Sequence, residues 1–536
     1  MTLRSVLSTS TRARRAGPRR WAAGLAASLA LTACATTSGG EEDEAAAAGD
    51  EQTLTIATSF AIDDLDPTEN GFWGVEFGYV ELLMRPERDG NPSPWVLEEL
   101  TSEDETTWTL ALREDVAFEN GRALDADALA QLLTWTAENN EGFASAAAFG
   151  SAEASGDLEV TLTTTSPVPT LPNILADESQ VQVFDIDAYE EHLASGDDAS
   201  ALLDAGLYTG PFVVDSLDGQ SAELSPFPDH WSGGPGLDDL TIRFVPEATS
   251  RVQAVQTGEA DIALYMPTAV ERTLQGRGDA FWVTGEPTGS TFAFIPNTRA
   301  PGMDDARVRR AVVAAIDYRA LAEDVLSGQA DVATGIFSPR LPYALDTQET
   351  DLDLARRLLD EAGWTEGADG VRTRDGQPLR IRLLSYPQQP DSTTLAEALQ
   401  VQLGEVGVAV EIAQVDDLYA EMETGTWGGA IEGASLVSFG GSPVEALRNR
   451  FATGSESNRG GISDPELDAA IERLTTTFDE DERTALLEEI QQIVSEQGYW
   501  AATVARRSGI VTNETWRSYE LPISNLWVTA DTSPGE

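Results

Sequence analysis

The chain has 536 residues, of which 91 are acidic and 34 basic, every basic one an arginine, for a net charge of −57. That balance excludes nucleic acid and anionic lipid headgroups as partners, since both are held by basic patches that displace counterions. A single cysteine excludes a disulfide framework, and a chain of this length needs two or three domains rather than one core.

Six arginines (Arg4, Arg12, Arg14, Arg15, Arg19 and Arg20) precede an apolar run from Trp21 to Ala33. At about 13 residues, the run is too short for a membrane-spanning helix and suits the apolar core of a secretory signal. It ends in Leu31-Thr32-Ala33-Cys34, which resembles the bacterial lipobox. The resemblance implies cleavage before Cys34 and acylation of its thiol, making residues 1–33 a lipoprotein signal peptide and Cys34 a lipid anchor. The Arg19-Arg20 pair leaves secretory and twin-arginine export both open. Residues 34–51 carry Ala, Gly and acids without apolar periodicity and read as a flexible tether. Without the leader, 28 basic residues face 91 acidic ones, a net charge of −63. Acids spread this widely read as a solvated surface, with attraction of a cationic solute as the alternative.

Leu54 to Ala57 form the first predicted strand, ended by the turn at Asp63-Asp64-Leu65-Asp66-Pro67. Trp108, Leu110 and Leu112 alternate with polar residues, as in a strand, and Asp125 is placed to cap a helix bearing Ala128, Leu129, Leu132 and Leu133. Leu158 to Thr163 predict another strand, and Pro167, Pro169 and Pro172 mark a crossing between domains. Strand Thr241–Val245, helix Ala248–Gln256 and strand Asp261–Tyr265 make a βαβ unit. Asp304 or Asp305 caps a helix with Val308, Val312, Ala315 and Ile316 on its apolar face, and Asp353 opens one with Leu354, Leu358 and Leu359. Strand Leu379–Leu384, helix Thr393–Val406 and strand Ala409–Val415 form a second βαβ unit. Asp464-Pro465 and Asp479 start two late helices, and Trp500–Val504 and Leu526–Val528 predict closing strands.

Four segments carry a resemblance to the extracytoplasmic solute-binding proteins of the peptide/nickel class. The first runs from Tyr79-Val80-Glu81-Leu82-Leu83 through Trp108–Arg113 to Asn120-Gly121 and Ala126-Asp127-Ala128. The second holds Gly210-Pro211-Phe212, His230-Trp231-Ser232-Gly233-Gly234-Pro235 and Gly258-Glu259-Ala260-Asp261. The third runs from Asn297-Thr298 to Arg307–Ala311 and Ala315-Ile316-Asp317, and the fourth is Ala362-Gly363-Trp364.

The resemblance implies an α/β fold like the type II periplasmic binding proteins, with two α/β lobes joined by a hinge and an inserted α+β domain. The corresponding boundaries are 52–72 and 185–290 for lobe I, 73–184 for the insertion, 291–499 for lobe II and 500–536 for a return to lobe I. It implies a small peptide-like or metal-chelate solute in the interlobe cleft, delivered to an ABC permease and its ATPase by a monomeric, membrane-tethered protein outside the cytoplasm. A sensor of signal peptides would need the same cleft. No cofactor is implied. Aromatic ligand contacts fall by position on Phe72 and Trp73 after the first strand, Tyr386, Trp427, and Phe439 between glycines.

Two departures bear on the solute. Peptide-binding members hold the ligand's amino terminus with an Asp just before the proline corresponding to Pro443, yet residues 433–442 contain no carboxylate. Nickel-type members can hold a chelator carboxylate with an Arg, yet the crossing from Pro167 to Asp187 offers Asp177 and Glu178 instead. A cationic solute is therefore a second reading. The only histidines are His192 and His230, which makes a direct soft-metal site a poor fit. A secreted hydrolase would need a nucleophile elbow with a partner histidine, and Gly289-Ser290-Thr291 is not one.

Overall fold

The computed structural model describes residues 52–534 apart from 88, 89, 388, 425 and 523; the signal segment, Cys34 and the tether lie outside the described residues. Alternation along the central strands assigns neighbouring residues to opposite cores. In the strand Thr53–Thr58, Ile56 enters one core, while Ala57 packs on the other face with Ala254, Val255 and Val511. The strand Phe281–Pro296 repeats this, sending Phe292 and Phe294 to one side and Ala293 and Ile295 to the other.

Among the described residues these strands belong to one eleven-stranded sheet. Its lobe I half holds Thr53–Thr58, parallel to Asp239–Phe244 and Ile262–Ala263. Its lobe II half holds Arg380–Ser385, parallel to Ala409–Gln414 and Gly429–Ser435. The helices Ala248–Thr257 and Pro390–Gly404 supply the crossovers that parallel pairing requires. An inserted domain adds a four-stranded antiparallel sheet and the helix Ala126–Asn139, which buries Leu129, Leu132 and Leu133. Asp125 caps that helix, its carboxylate accepting from the Ala128 N–H at 2.9 Å. The insertion shares one hydrophobic core with lobe I.

Two long antiparallel strands, Phe281–Pro296 and Ala501–Thr512, carry the sheet from one lobe to the other. Between the pairs Thr284–Gly509 and Thr291–Ala505, six residues on one strand face three on the other. Such bulges weaken the ladder and let it twist, so this segment is the hinge.

Local rules misjudged some elements. The strand Phe281–Pro296 was not anticipated because Gly285, Pro287 and Gly289 break its pattern; those residues fall where the register shifts. Phe72 and Trp73 lie on the helix Gly71–Phe77 rather than in a loop; its N-cap residue Asn70 makes no side-chain bond to the first turn, and its amide donates to Asp64 at 2.7 Å instead. Asp351, not Asp353, caps the helix Leu352–Glu361, accepting from the Leu354 N–H at 2.7 Å. Leu526–Val528 is buried but irregular.

Buried Arg251 stitches together the loops that leave the lobe I strands. Its guanidinium donates to the carbonyls of Val245, Pro246, Leu264 and Tyr265 at 2.7–3.1 Å. Arg251→Met leaves the buried Leu264 carbonyl and the half-buried Val245 and Tyr265 carbonyls without this donor and should cost about 2–3 kcal/mol, measured by urea unfolding. An unchanged urea midpoint would refute that role.

Candidate functional site: a cleft at the hinge

The hinge strands floor an interlobe cavity of about 450 Å³, within the range of roughly 300–1,000 Å³ usual for small-molecule sites. Tyr265 and Thr268 reach it from lobe I, Phe292 and Arg506 from the hinge, Asp391 from lobe II and Trp527 from the C-terminal segment. Tyr265 follows the C-terminal end of Ile262–Ala263, and Asp391 lies beyond the end of Arg380–Ser385. Open α/β sheets place ligands at these strand ends.

Arg506 is the unusual group. Its neighbour Arg507, which lines the same cavity, pairs with Asp331. The Arg506 guanidinium, by contrast, makes no hydrogen bond or ion pair among the described residues; it lies 4.7 Å from the centre of the Phe292 ring. Burial lowers its pKa, and the charges of Tyr386 and Asp391 oppose that shift. Asp391 accepts from the Thr268 hydroxyl at 3.2 Å, a contact that spans the two lobes. Burial raises the Asp391 pKa, and the Thr268 bond partly offsets the rise.

Below Tyr265 lies Glu76, whose Oε2 accepts from the Tyr265 hydroxyl at 2.7 Å. Burial lifts this carboxyl from 4.5 to about 8, with hydrogen bonds from Tyr265 and Asn525 opposing the shift. Between those pH values the folded state keeps a proton that the unfolded chain has released, so raising the pH favours unfolding. Glu76→Gln should remove this group's share of the stability loss between about pH 4.5 and about pH 8, leaving the shares of Glu119 and Glu178, which burial also raises. Urea midpoints across that window check it; parallel profiles for the two proteins would contradict it.

The anticipated aromatics separate. Phe439 is 49 % exposed and lines a chamber beside the main cavity. Tyr386 stands behind the cleft, its hydroxyl accepting from the Gly433 N–H at 3.1 Å. Phe72 and Trp73 join the site through a relay of rings: Phe72 meets Trp73 at 4.4 Å, Trp73 meets Phe60 at 5.0 Å, and Phe60 meets Tyr265 at 5.0 Å. Trp427 is a correction. It is 1 % exposed in the lobe II core, where its indole N–H donates to the Met422 carbonyl at 2.7 Å, so it faces no ligand. Tyr265, Phe292, Asp391, Arg506 and Trp527 were missed; the one usable signal was the position of Tyr265 at a parallel strand's end.

The loop Ser438–Ser442 clasps lobe I. The Asn173 amide donates to the Gly440 carbonyl at 2.7 Å and to the Gly90 carbonyl at 2.9 Å, while Asp177 accepts from the Gly440 N–H at 3.3 Å. Asp177 is thereby engaged in lobe–lobe contact, and Glu178 is buried with a pKa raised first by desolvation and then by Glu76 and Asp177. The carboxylates that suggested a cationic solute are thus not free cleft charges. His230 is likewise structural, its Nε2 lying 3.2 Å from Glu81 Oε1.

A cavity between two α/β lobes, walled by a guanidinium that meets no hydrogen-bond acceptor among the described residues, has the form of a site for small solutes. The chain belongs to the bacterial extracellular solute-binding proteins, family 5, whose sequence model matches residues 91–450. It acts as a solute-binding subunit of an ABC importer, and the family is one of binding proteins. It is 27 % identical over 470 residues to the nickel-binding periplasmic protein of Escherichia coli (strain K12), covering 82 % of this chain and 86 % of that protein. It is 24 % identical over 500 residues to a glutathione-binding protein of Salmonella typhimurium, covering 89 % and 92 %. Its fold matches NikA from Brucella suis in complex with Fe(III)-EDTA, with a TM-score of 0.80 at 23 % identity, over 90 % of this chain and 100 % of that one. NikA from Staphylococcus aureus, in complex with Ni(L-His)2, matches with a TM-score of 0.72 at 20 % identity, over the same shares. Among the described residues no helix is long and apolar enough to cross a membrane.

Proposed function

We infer that the solute carries a carboxylate, that Arg506 binds it, and that the ligand is derived from amino acids, as a short peptide or a metal–amino-acid chelate. The carrying observation is a guanidinium in the wall of the interlobe cavity that meets no hydrogen-bond acceptor among the described residues, the geometry that suits bidentate carboxylate binding. Asp391, in the same wall, offers the opposite charge to an ammonium group. The relatives' names and bound ligands, glutathione and a nickel–histidine chelate, support this class, since each carries carboxylates. Tyr265 and Trp527 supply apolar faces that exclude water once the lobes meet. Native mass spectrometry of protein purified from its host tests the reading. A co-purified solute with an acidic group is expected; one with no acidic group would sink it.

The importer subunit is held outside the membrane as a monomer by acylated Cys34, and the tether 34–51 gives it reach to the permease. The lone cysteine, placed directly after the apolar run, supports this. Cys34→Ser should abolish incorporation of labelled palmitate and release the protein from the membrane fraction. Retention with label would refute it.

A further inference from the structure

A second chamber of about 330 Å³ adjoins the first. Ser290, Ser524 and Asn525 line both, so one ligand can occupy the two together. Their linings differ in kind. The first presents Arg506 and Asp391, whereas Pro86, Leu341, Val437 and Phe439 dominate the second. Among the described residues, the one ionisable group in the wall of the second, Glu87, accepts from the Ser93 hydroxyl at 2.6 Å. Phe439 is 49 % exposed in the empty chamber, and a large apolar ring facing water gains by being covered. Gly90 and Gly441 sit in the same wall and belong to the clasp between lobes, so closure dries this chamber as it forms.

We propose that the second chamber is a subsite for an apolar substituent of the solute whose carboxylate rests on Arg506. The transported solute is then elongated and amphipathic, with its charged end at the hinge and its apolar end beneath residues 435–441. This rests on the carboxylate reading. It also gives the carboxylate-free loop before Pro443 a use: Val437 and Phe439 take up an apolar group at the loop where a charged amino terminus would need an acid.

Calorimetric titration of the full chain with the dipeptides Gly-Ala, Val-Ala, Leu-Ala and Phe-Ala tests the subsite. Binding should tighten at least about tenfold from Gly-Ala to Leu-Ala, the yield of burying one such side chain. In Phe439→Ser and in Val437→Asn, the series should flatten to within about threefold. Equal affinity along the series in the unaltered protein, or a gradient that survives in both variants, overturns the subsite and leaves the carboxylate reading standing. If no dipeptide binds, the subsite and the peptide form of the carboxylate reading fall, and its chelate form stands. If dipeptides bind as tightly to Arg506→Ala, the carboxylate reading falls and takes with it the placement of the charged end.

Discussion

Arg506→Met is expected to lose solute affinity by about 2–5 kcal/mol, roughly 30- to several thousand-fold, while the unliganded protein becomes no less stable. The two effects separate because Arg506 is half-buried with no hydrogen-bond acceptor among the described residues. Its guanidinium meets the Phe292 ring and the field of Asp391, but no acceptor within hydrogen-bonding reach among the described residues. Methionine can pack on the same ring and removes a desolvation cost that Tyr386 and Asp391 offset only in part, so the unliganded fold gains or stays level. A bound solute, however, loses its bidentate partner and leaves a carboxylate dry and unpaired. Thermal shift with the co-purified solute reads both quantities in one experiment. Arg506→Lys keeps the charge but not the planar fork, so it should fall between the two. An Arg506→Met protein that binds as tightly as its parent would remove the central claim about the cleft.

Gly440→Val should abolish closure without unfolding either lobe. A Cβ at position 440 would lie 1.9 Å from the Asn173 carbonyl oxygen, and that oxygen belongs to the facing lobe's backbone. The φ of Gly440 lies outside the left-handed region, so the added side chain is strained by the contact and not by its own backbone. The overlap vanishes when the lobes part, so the cost falls on the closed state alone. A penalty of at least about 4 kcal/mol lowers the closed population, and with it the apparent affinity, about a thousandfold. Solution scattering should show the variant remaining open with saturating solute, while its urea midpoint stays that of the parent. Asn173→Ala removes the amide's bonds to Gly440 and Gly90, keeps the Asp177 bond and creates no overlap, and should cost only about tenfold. A Gly440→Val protein that closes on ligand would show that the loop Ser438–Ser442 moves independently of the lobe.

Much of the lobe architecture was legible from local chemistry. Helix caps act within three residues, and Asp125, Asp305, Asp464 and Asp479 each accept from backbone N–H groups of the first turn. Strand alternation likewise needs no distant information, and Ile56 and Ala57 go to opposite cores as their pattern requires. The hinge was not legible, because the Gly and Pro residues of a bulged strand look the same as those of a loop until a partner strand is known. Trp427 and Phe439 show the same limit for side chains. Both are large rings in lobe II, yet one fills the core and the other lines a chamber.

The sequence by itself determined the charge of this protein, the single placement of its cysteine, and the alternating helix and strand signals that build two α/β lobes. Periodicity and capping operate over a few residues, so one chain suffices to read them. Only the tertiary structure decided how two adjacent arginines in the cavity wall differ: Arg507 pairs with Asp331, while among the described residues Arg506 meets the Phe292 ring and no hydrogen-bond acceptor. It also decided that Tyr265, Phe292, Asp391 and Trp527 share that cavity, and that Asp177 serves closure. Those outcomes depend on which distant segments the sheet and its hinge bring together, and no local pattern encodes a partner hundreds of residues away.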